Sequence, residues 1–205
     1  AAGYFKVLSA PSLLELAGAA PLVERIMNLS KVSRAEFDRD LLPAIHRFAE
    51  WAQLMPASEA HHHANIGGLL AHTLETLHHA LVQREGYLLP RNGGAELIAQ
   101  QRDAWTYAVF LGALVHDVGK PLTDLRIEVR HGHSESTRWL PLAGSLVECK
   151  ATEYRVGFAP RAERDYAAHG RIALVLLQKI APPGAMALLG RHSSVLEELT
   201  QYLSG

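Results

Sequence analysis

The sequence predicts a mainly α-helical fold: a helical core with a small β insertion. Apolar residues recur at helical spacing along most of the 205 residues. One stretch, residues 104–118, is apolar nearly all round and therefore belongs at the buried centre. Three short β-like runs fall together between residues 125 and 158, separated by Gly, Ser and charged residues.

From residue 12 to about residue 56, Leu13, Leu14 and Leu16 lead into Leu22, Ile26 and Leu29. Pro11 and Pro21 suit first-turn positions, so this spacing predicts two short helices. Ser33 opens Ser-Arg-Ala-Glu, a capping box closed by Glu36, and Phe37, Leu41, Ile45, Phe48 and Ala52 mark one face of a longer helix. Pro43 is expected to kink or divide that helix, because it lacks a backbone donor and clashes with the preceding turn. Residues 55–68 read as a loop feeding a helix over about residues 69–84. The central helix over residues 104–118 is stopped by Gly119 and Pro121. The β-like runs are residues 125–129, 138–142 and 153–158. Helical periodicity returns over about 165–180, with two shorter helices at 185–189 and 195–203. Residues 1–56 are expected to form a helical segment packed on the core, and 57–205 the domain that carries the chemistry.

Apolar residues make up 48% and charged residues 20%, and mean hydropathy is +0.01, which excludes both a disordered tail and a membrane bundle. Twenty Lys and Arg against 21 Asp and Glu leave a net charge of −1, so any contact with nucleic acid must be local. Cys149 is the only cysteine, which excludes an intramolecular disulfide. With no cationic leader ahead of an apolar run, the expectation is a cytoplasmic protein without membrane insertion.

Histidine is the unusual residue: there are twelve, six of them between His61 and His79. The most informative pair is His116-Asp117, at the end of the most apolar helix. A buried carboxylate needs a cation or a hydrogen-bond network, and an adjacent imidazole makes a metal one answer. The plainer answer is a pair that only holds the helix end. His72 lies on the helix entered through Gly67-Gly68, His169 opens HGRIALVLL, and His192 follows further on. Helices that each point one imidazole or carboxylate inward are what a metal site in a helical core requires. Mixed ligands of this kind suit Mn, Fe, Co, Ni or Zn, as one or two ions. His61, His62 and His63 cannot all face one way on a short extended loop, so one or two of them are candidates to line the cleft. Asp165 stands one helical turn before His169, and its simplest role is a solvated or capping carboxylate.

The order His72, His116-Asp117 within HDVGK, His169 and His192 resembles the HD superfamily of metal-dependent phosphohydrolases. PASEAHHHANIGGLLAHTLE, HDVGKPLTDLRIEV, RWLPLAG, YRVGFAP and HGRIALVLL together resemble the TraI-type domain of MobH-class conjugative relaxases, found in integrating conjugative elements and large plasmids. HHANIGGLLAHT alone is also similar to the HD domain of YhaM-type 3′–5′ exoribonucleases. The resemblance implies His72, His116, Asp117, His169 and His192 as metal ligands. It makes Asp117 a catalytic centre and supports Lys120 as a phosphate-contacting cation, beside the plainer reading of an exposed lysine near a helix C-terminus. On the loop itself His62 and His63 are candidates for proton transfer and His61 for a substrate contact, with metal ligation open to each, and Arg171 is a candidate phosphate contact whose simpler role is on the surface. The superfamily's late Asp has no counterpart, since no Asp follows Asp165: either that ligand follows Gly205 or the set is one donor short. The implied function is a phosphodiesterase, a nuclease acting on single-stranded or nicked DNA beside other conjugative-transfer proteins. Two alternatives stay open: a phosphohydrolase or exonuclease for RNA or nucleotides, and a non-catalytic binding domain. None of Tyr4, Tyr87, Tyr107, Tyr154, Tyr166 and Tyr202 sits in a motif resembling a DNA-joining nucleophile.

Overall fold

In the computed structural model, residues 3–59, 65–165 and 168–205 are described, and of His169 the backbone only. The protein is mainly α-helical with one small antiparallel sheet. A two-residue strand, β1 (Phe5–Lys6), precedes α1 (Ala10–Leu16) and α2 (Ala20–Ser30). Ser33 and Glu36 form the expected reciprocal capping box at the start of α3 (Arg34–Asp40). Pro43 divides the next helix from it, occupying the first turn of α4 (Leu42–Ala52), where its missing N–H costs no intrahelical bond.

The two long helices are α5 (Gly68–Glu85) and α6 (Ala95–Val115), packed against each other. α6 begins nine residues before the expected start at residue 104. Its first turns carry polar residues such as Glu96, Gln100 and Arg102, which lack the apolar face that periodicity detects. It also ends sooner. Residues 116–119 form a turn, and Pro121 sits in the first turn of the short α7 (Lys120–Thr123) rather than only ending α6.

The sheet follows: β2 (Leu125–Arg130), β3 (Thr137–Arg138) and β4 (Glu153–Phe158), in the order β1-β4-β2-β3, every pairing antiparallel. The expected strand over 138–142 shrinks to Thr137–Arg138, because Pro141 opens a 3₁₀ turn over Pro141–Ala143. The chain closes with α8 (Ala168–Ile180), α9 (Pro183–Arg191) and α10 (Ser193–Ser204).

Side chains from α1–α4 and from the later elements form one continuous buried cluster, including Ile26, Phe37, Trp51, Leu77, Phe110, Leu114, Tyr154 and Leu176. One side-chain clasp closes the N-terminal segment on itself and one bond ties it to the sheet. Gln53 accepts from the N–H of Leu8 at 2.9 Å and donates to its carbonyl at 3.0 Å, and the Leu54 N–H donates to the Tyr154 hydroxyl at 3.0 Å. Among the described residues no single helix is long and apolar enough to cross a membrane.

Candidate metal centre

The start of α5 is fixed by backbone bonds to the end of the α4 segment. Gly67 N–H donates to Leu54 O and Leu69 N–H to Met55 O, each at 2.9 Å. Gly67 has φ +77°, a left-handed conformation that L side chains resist, so a glycine lets the chain turn into the helix here. Leu69, Leu70, Thr73, Leu74 and Leu77 face the core, and His72 sits half-buried at the edge of that stripe, directed toward the end of α6.

At that end the turn 116–119 presents His116 and Asp117. Asp117 is 8% exposed, and its Oδ2 lies 3.1 Å from Nε2 of His72 and 3.0 Å from Nε2 of His116. The other oxygen, Oδ1, is 3.2 Å from Nζ of Lys120. One ligand atom from each of His72, His116 and Asp117 lies within 4.8 Å of the others, so the three form a set able to hold an ion. Nδ1 of His116 is 2.8 Å from the Ala113 carbonyl. With Nδ1–H donating there, Nε2 faces the cluster: its proton donates to Asp117, and loss of that proton would leave a lone pair for a metal ion.

Electrostatics keep this carboxylate charged. Burial opposes the ionisation of Asp117, but the His116 hydrogen bond and charge, joined by Lys120, outweigh it and hold the carboxyl well below its ordinary range. For His116, burial again works against charge, while the bond and charge of Asp117 overcome it and raise the imidazole above its usual value. The centre is thus negative at its core and has two imidazoles that can exchange a proton for a metal ion.

Lys120 connects this centre to a cleft of about 390 Å³ lined by Pro56, Glu59, Lys120, Phe158, Arg161 and Arg164. Arg164 donates to Glu59 Oε2 at 3.0 Å and to the Ala159 carbonyl at 2.9 Å, which braces the loop before α5 against the segment after β4. Arg161 and Arg164 were not singled out by sequence. Their only signal is their position a few residues beyond a strand, and that becomes meaningful once the sheet brings them to Lys120.

The remaining candidates divide three ways. His61, His62 and His63 lie outside the described residues. His169 is on the first turn of α8, which packs against α6 and α7, and its side chain also lies outside the description. Arg171 is exposed and pairs with Asp165 at 3.7 Å. His192 does not join the group. The segments Gly170–Ile180 and Pro183–Arg191 are bent by 115°, and the chain runs to the other end of α6, where Ser194 meets Gln101 at 3.5 Å. Gln101 precedes His116 by fifteen residues, about 22 Å along a helix. α10 then returns: Leu199 and Tyr202 pack on Gly112, and the Leu203 and Ser204 carbonyls press on Gly170, where a Cβ would come within 2.7 Å of the former.

Among the described residues, Tyr107 and Tyr154 are engaged in the core, and Tyr166 lies outside the description. Tyr107 donates to Asp40 at 2.7 Å, and Tyr154, whose phenol burial pushes up to about 12, accepts from Leu54.

The chain belongs to the TraI_2 family, described as "Putative helicase", which matches residues 3–205. Membership places it among the relaxase-like, nucleic-acid-directed domains of conjugative transfer. No curated protein matches the chain.

Proposed function

We propose that the chain is an HD-type, metal-dependent phosphodiesterase that acts on DNA during conjugative transfer. The observation that carries this reading is the convergence of His72 from α5 and His116 and Asp117 from the turn after α6 onto one point, with Lys120 beside them. The donor set suits Mn, Fe, Co, Ni or Zn: two neutral imidazoles and one carboxylate leave coordination positions for solvent and a phosphate oxygen. His169 is the next ligand, supported by its place at the start of a helix packed on α6 and α7.

A bound divalent ion supplies Lewis acidity toward a phosphoryl oxygen and a water of lowered pKa. The chain's own residues do the rest. Ala113 O orients the His116 ring, Asp117 provides the negative charge that retains a cation, and Lys120 stands where it can leave Asp117 for a phosphate oxygen of the substrate. Proton transfer by His62 or His63, and a phosphate contact from His61, are supported by sequence alone. The structural roles of Tyr107 and Tyr154 favour water over those two tyrosines as nucleophile.

The family's description names a helicase, but these residues hold no Gly-x-x-x-x-Gly-Lys-Ser/Thr loop. Their only Gly-Lys pair, Gly119-Lys120, is followed by Pro121. That favours phosphodiester chemistry over a nucleotide-driven P-loop motor within this chain. A second reading has its own support. His72, His116 and Lys120 already satisfy Asp117, so the cluster would also serve as a structural clamp in a non-catalytic binding module.

The deciding experiment is elemental analysis of the purified chain followed by cleavage assays on single-stranded DNA with Mn and with chelator. Stoichiometric metal and chelator-sensitive cleavage are expected, and Lys120→Ala should reduce cleavage while keeping the metal. Absence of metal after incubation with each of the five ions would leave the clamp as the better account.

A further inference from the structure

The outer face of the sheet differs in charge from the rest of the molecule. Pleating sends Leu125, Ile127, Val129 and Tyr154 into the core and turns Arg126, Glu128, Arg130, Glu153 and Arg155 outward. The register sets Arg155 and Arg138 on either side of Glu128, and Lys6 and Arg130 on either side of Glu153. The strands therefore carry five cations and two carboxylates, in a chain whose net charge is −1. Tyr4, just before β1, lies among them, with the Arg130 guanidinium 3.8 Å and that of Arg155 5.4 Å from its ring centre.

The ion pairs on this face do not lock it. Arg126 pairs with Glu163 and Arg155 with Glu128, and all four side chains are between 42% and 56% exposed. Pairs that open to solvent contribute roughly 0–1 kcal/mol and exchange readily for a phosphate. The cleft lies at one end of this sheet. Leu125 and Phe158, paired on the inner side, line it beside Lys120, and on the outer side Arg126 pairs with Glu163, between the cleft residues Arg161 and Arg164. Arg126 is the outward cation of β2 nearest that cleft, and Arg130 lies four residues, about 13 Å, further along the strand.

We propose that this sheet face is the track on which single-stranded DNA lies on its way to the metal centre. Its phosphates rest on Arg126, Arg130, Arg138 and Arg155, and the stacked Arg130–Tyr4 pair gives a base a flat surface. A cationic sheet face with an aromatic ring suits a single strand, whose bases are free to stack. Duplex DNA is read by an element that enters a groove, and this face has none. The proposal deepens the phosphodiesterase reading by naming how that site receives its substrate, but the binding itself needs no metal.

The test uses fluorescence anisotropy of a labelled oligothymidylate with the chain in chelator, over a series of salt concentrations. The triple variant Arg126→Ala/Arg130→Ala/Arg138→Ala should bind at least about tenfold more weakly, and the slope of log affinity against log salt should fall by about 2, at roughly 0.7 per lost phosphate contact. The corresponding triple Arg→Lys variant should keep most of the affinity, which separates charge from misfolding. Metal content and hydrolysis of bis(p-nitrophenyl) phosphate should match wild type, since none of the three residues belongs to the metal centre. Unchanged affinity and slope in the Ala variant, or no binding by wild type, would overturn the proposal, as would a loss confined to duplex DNA. If the variant loses binding while wild type neither holds metal nor cleaves, the track stands and the phosphodiesterase reading falls.

Discussion

The molecule buries two carboxylates along the same long helix and surrounds them with different chemistry. Asp40, at the end of α3, is 2% exposed and accepts two bonds from Arg39 at 2.8 Å and one from the Tyr107 hydroxyl at 2.7 Å. Asp117 is 8% exposed and faces His72, His116 and Lys120 at 3.0–3.2 Å. Both are held below the ordinary carboxylate range, so neither burial nor a depressed pKa distinguishes a site from a strut. The partners do. A guanidinium offers donors only and stays charged, so Asp40 has nothing to share with a cation. Each imidazole beside Asp117 can give up a proton and present a lone pair, which turns the same kind of buried charge into a candidate ligand set.

The largest expected effect separates the two carboxylates by function. Asp117→Asn keeps the shape and removes the charge. It should lose bound metal and cut metal-dependent DNA cleavage by more than about 100-fold, since even groups that only orient ligands are worth 10–100-fold. Asp40→Asn and His192→Ala should retain both metal and cleavage. Mass spectrometry of the metal and single-turnover assays on the three variants decide this, and equal metal retention in Asp117→Asn and wild type would erase the distinction.

Asp117 was readable in the sequence and Asp40 was not, for a physical reason. Asp117 follows a histidine at the end of an unbroken apolar run, so its burial and its need for a partner can be inferred together. Asp40 lies in Asp-Arg-Asp, a string that reads as a solvated surface. The packing of α3 beneath Tyr107, 67 residues away, and against Gly184 of α9 buries it. The capping box at Ser33 and the division at Pro43 were equally readable, because both act within a few residues. Three features were hidden by their dependence on distant contacts: the two-residue strand β1, the polar first turns of α6, and the bend that carries His192 away from the centre. The cationic sheet face was invisible to overall charge, since −1 averages it against a net negative remainder spread over helices and loops.

The second effect concerns stability. Asp40→Ala removes the acceptor for Arg39 and Tyr107. The Tyr107 hydroxyl then stays buried without its partner, while Arg39, 66% exposed, regains water. The cost should be about 2 kcal/mol, with metal content unchanged, because only one of the two donors suffers the full desolvation penalty. Tyr107→Phe removes one of the three bonds and leaves the Arg39 pair intact, so about 1 kcal/mol is expected. Urea denaturation of both variants in chelator measures the two values. A Tyr107→Phe loss larger than that of Asp40→Ala would mean that the tyrosine, and not the carboxylate, organises this corner.

The smallest effect is confined to acid and tests whether Asp40 is a charged strut at all. The Arg39 hydrogen bonds lower its pKa most, burial opposes them, and Tyr107 adds to the lowering, so the folded-state value lies below 3.8. Between the folded and unfolded values the unfolded chain binds more protons, and stability therefore rises with pH in that window. The contribution is complete above the unfolded value and is lost as pH falls through the folded one. Asp117 behaves with the same sign, so wild type alone cannot assign the acid loss. The difference between wild type and Asp40→Asn can: in chelator, wild type should lose more stability than the variant between about pH 5 and about pH 3, because an amide binds no proton there. Identical losses would mean that Asp40 binds protons equally well in the folded and unfolded chain, and a smaller loss in wild type would mean that the fold keeps it protonated. In the second case the two buried carboxyls would differ in charge as well as in partners, with only the one beside the imidazoles kept ionised.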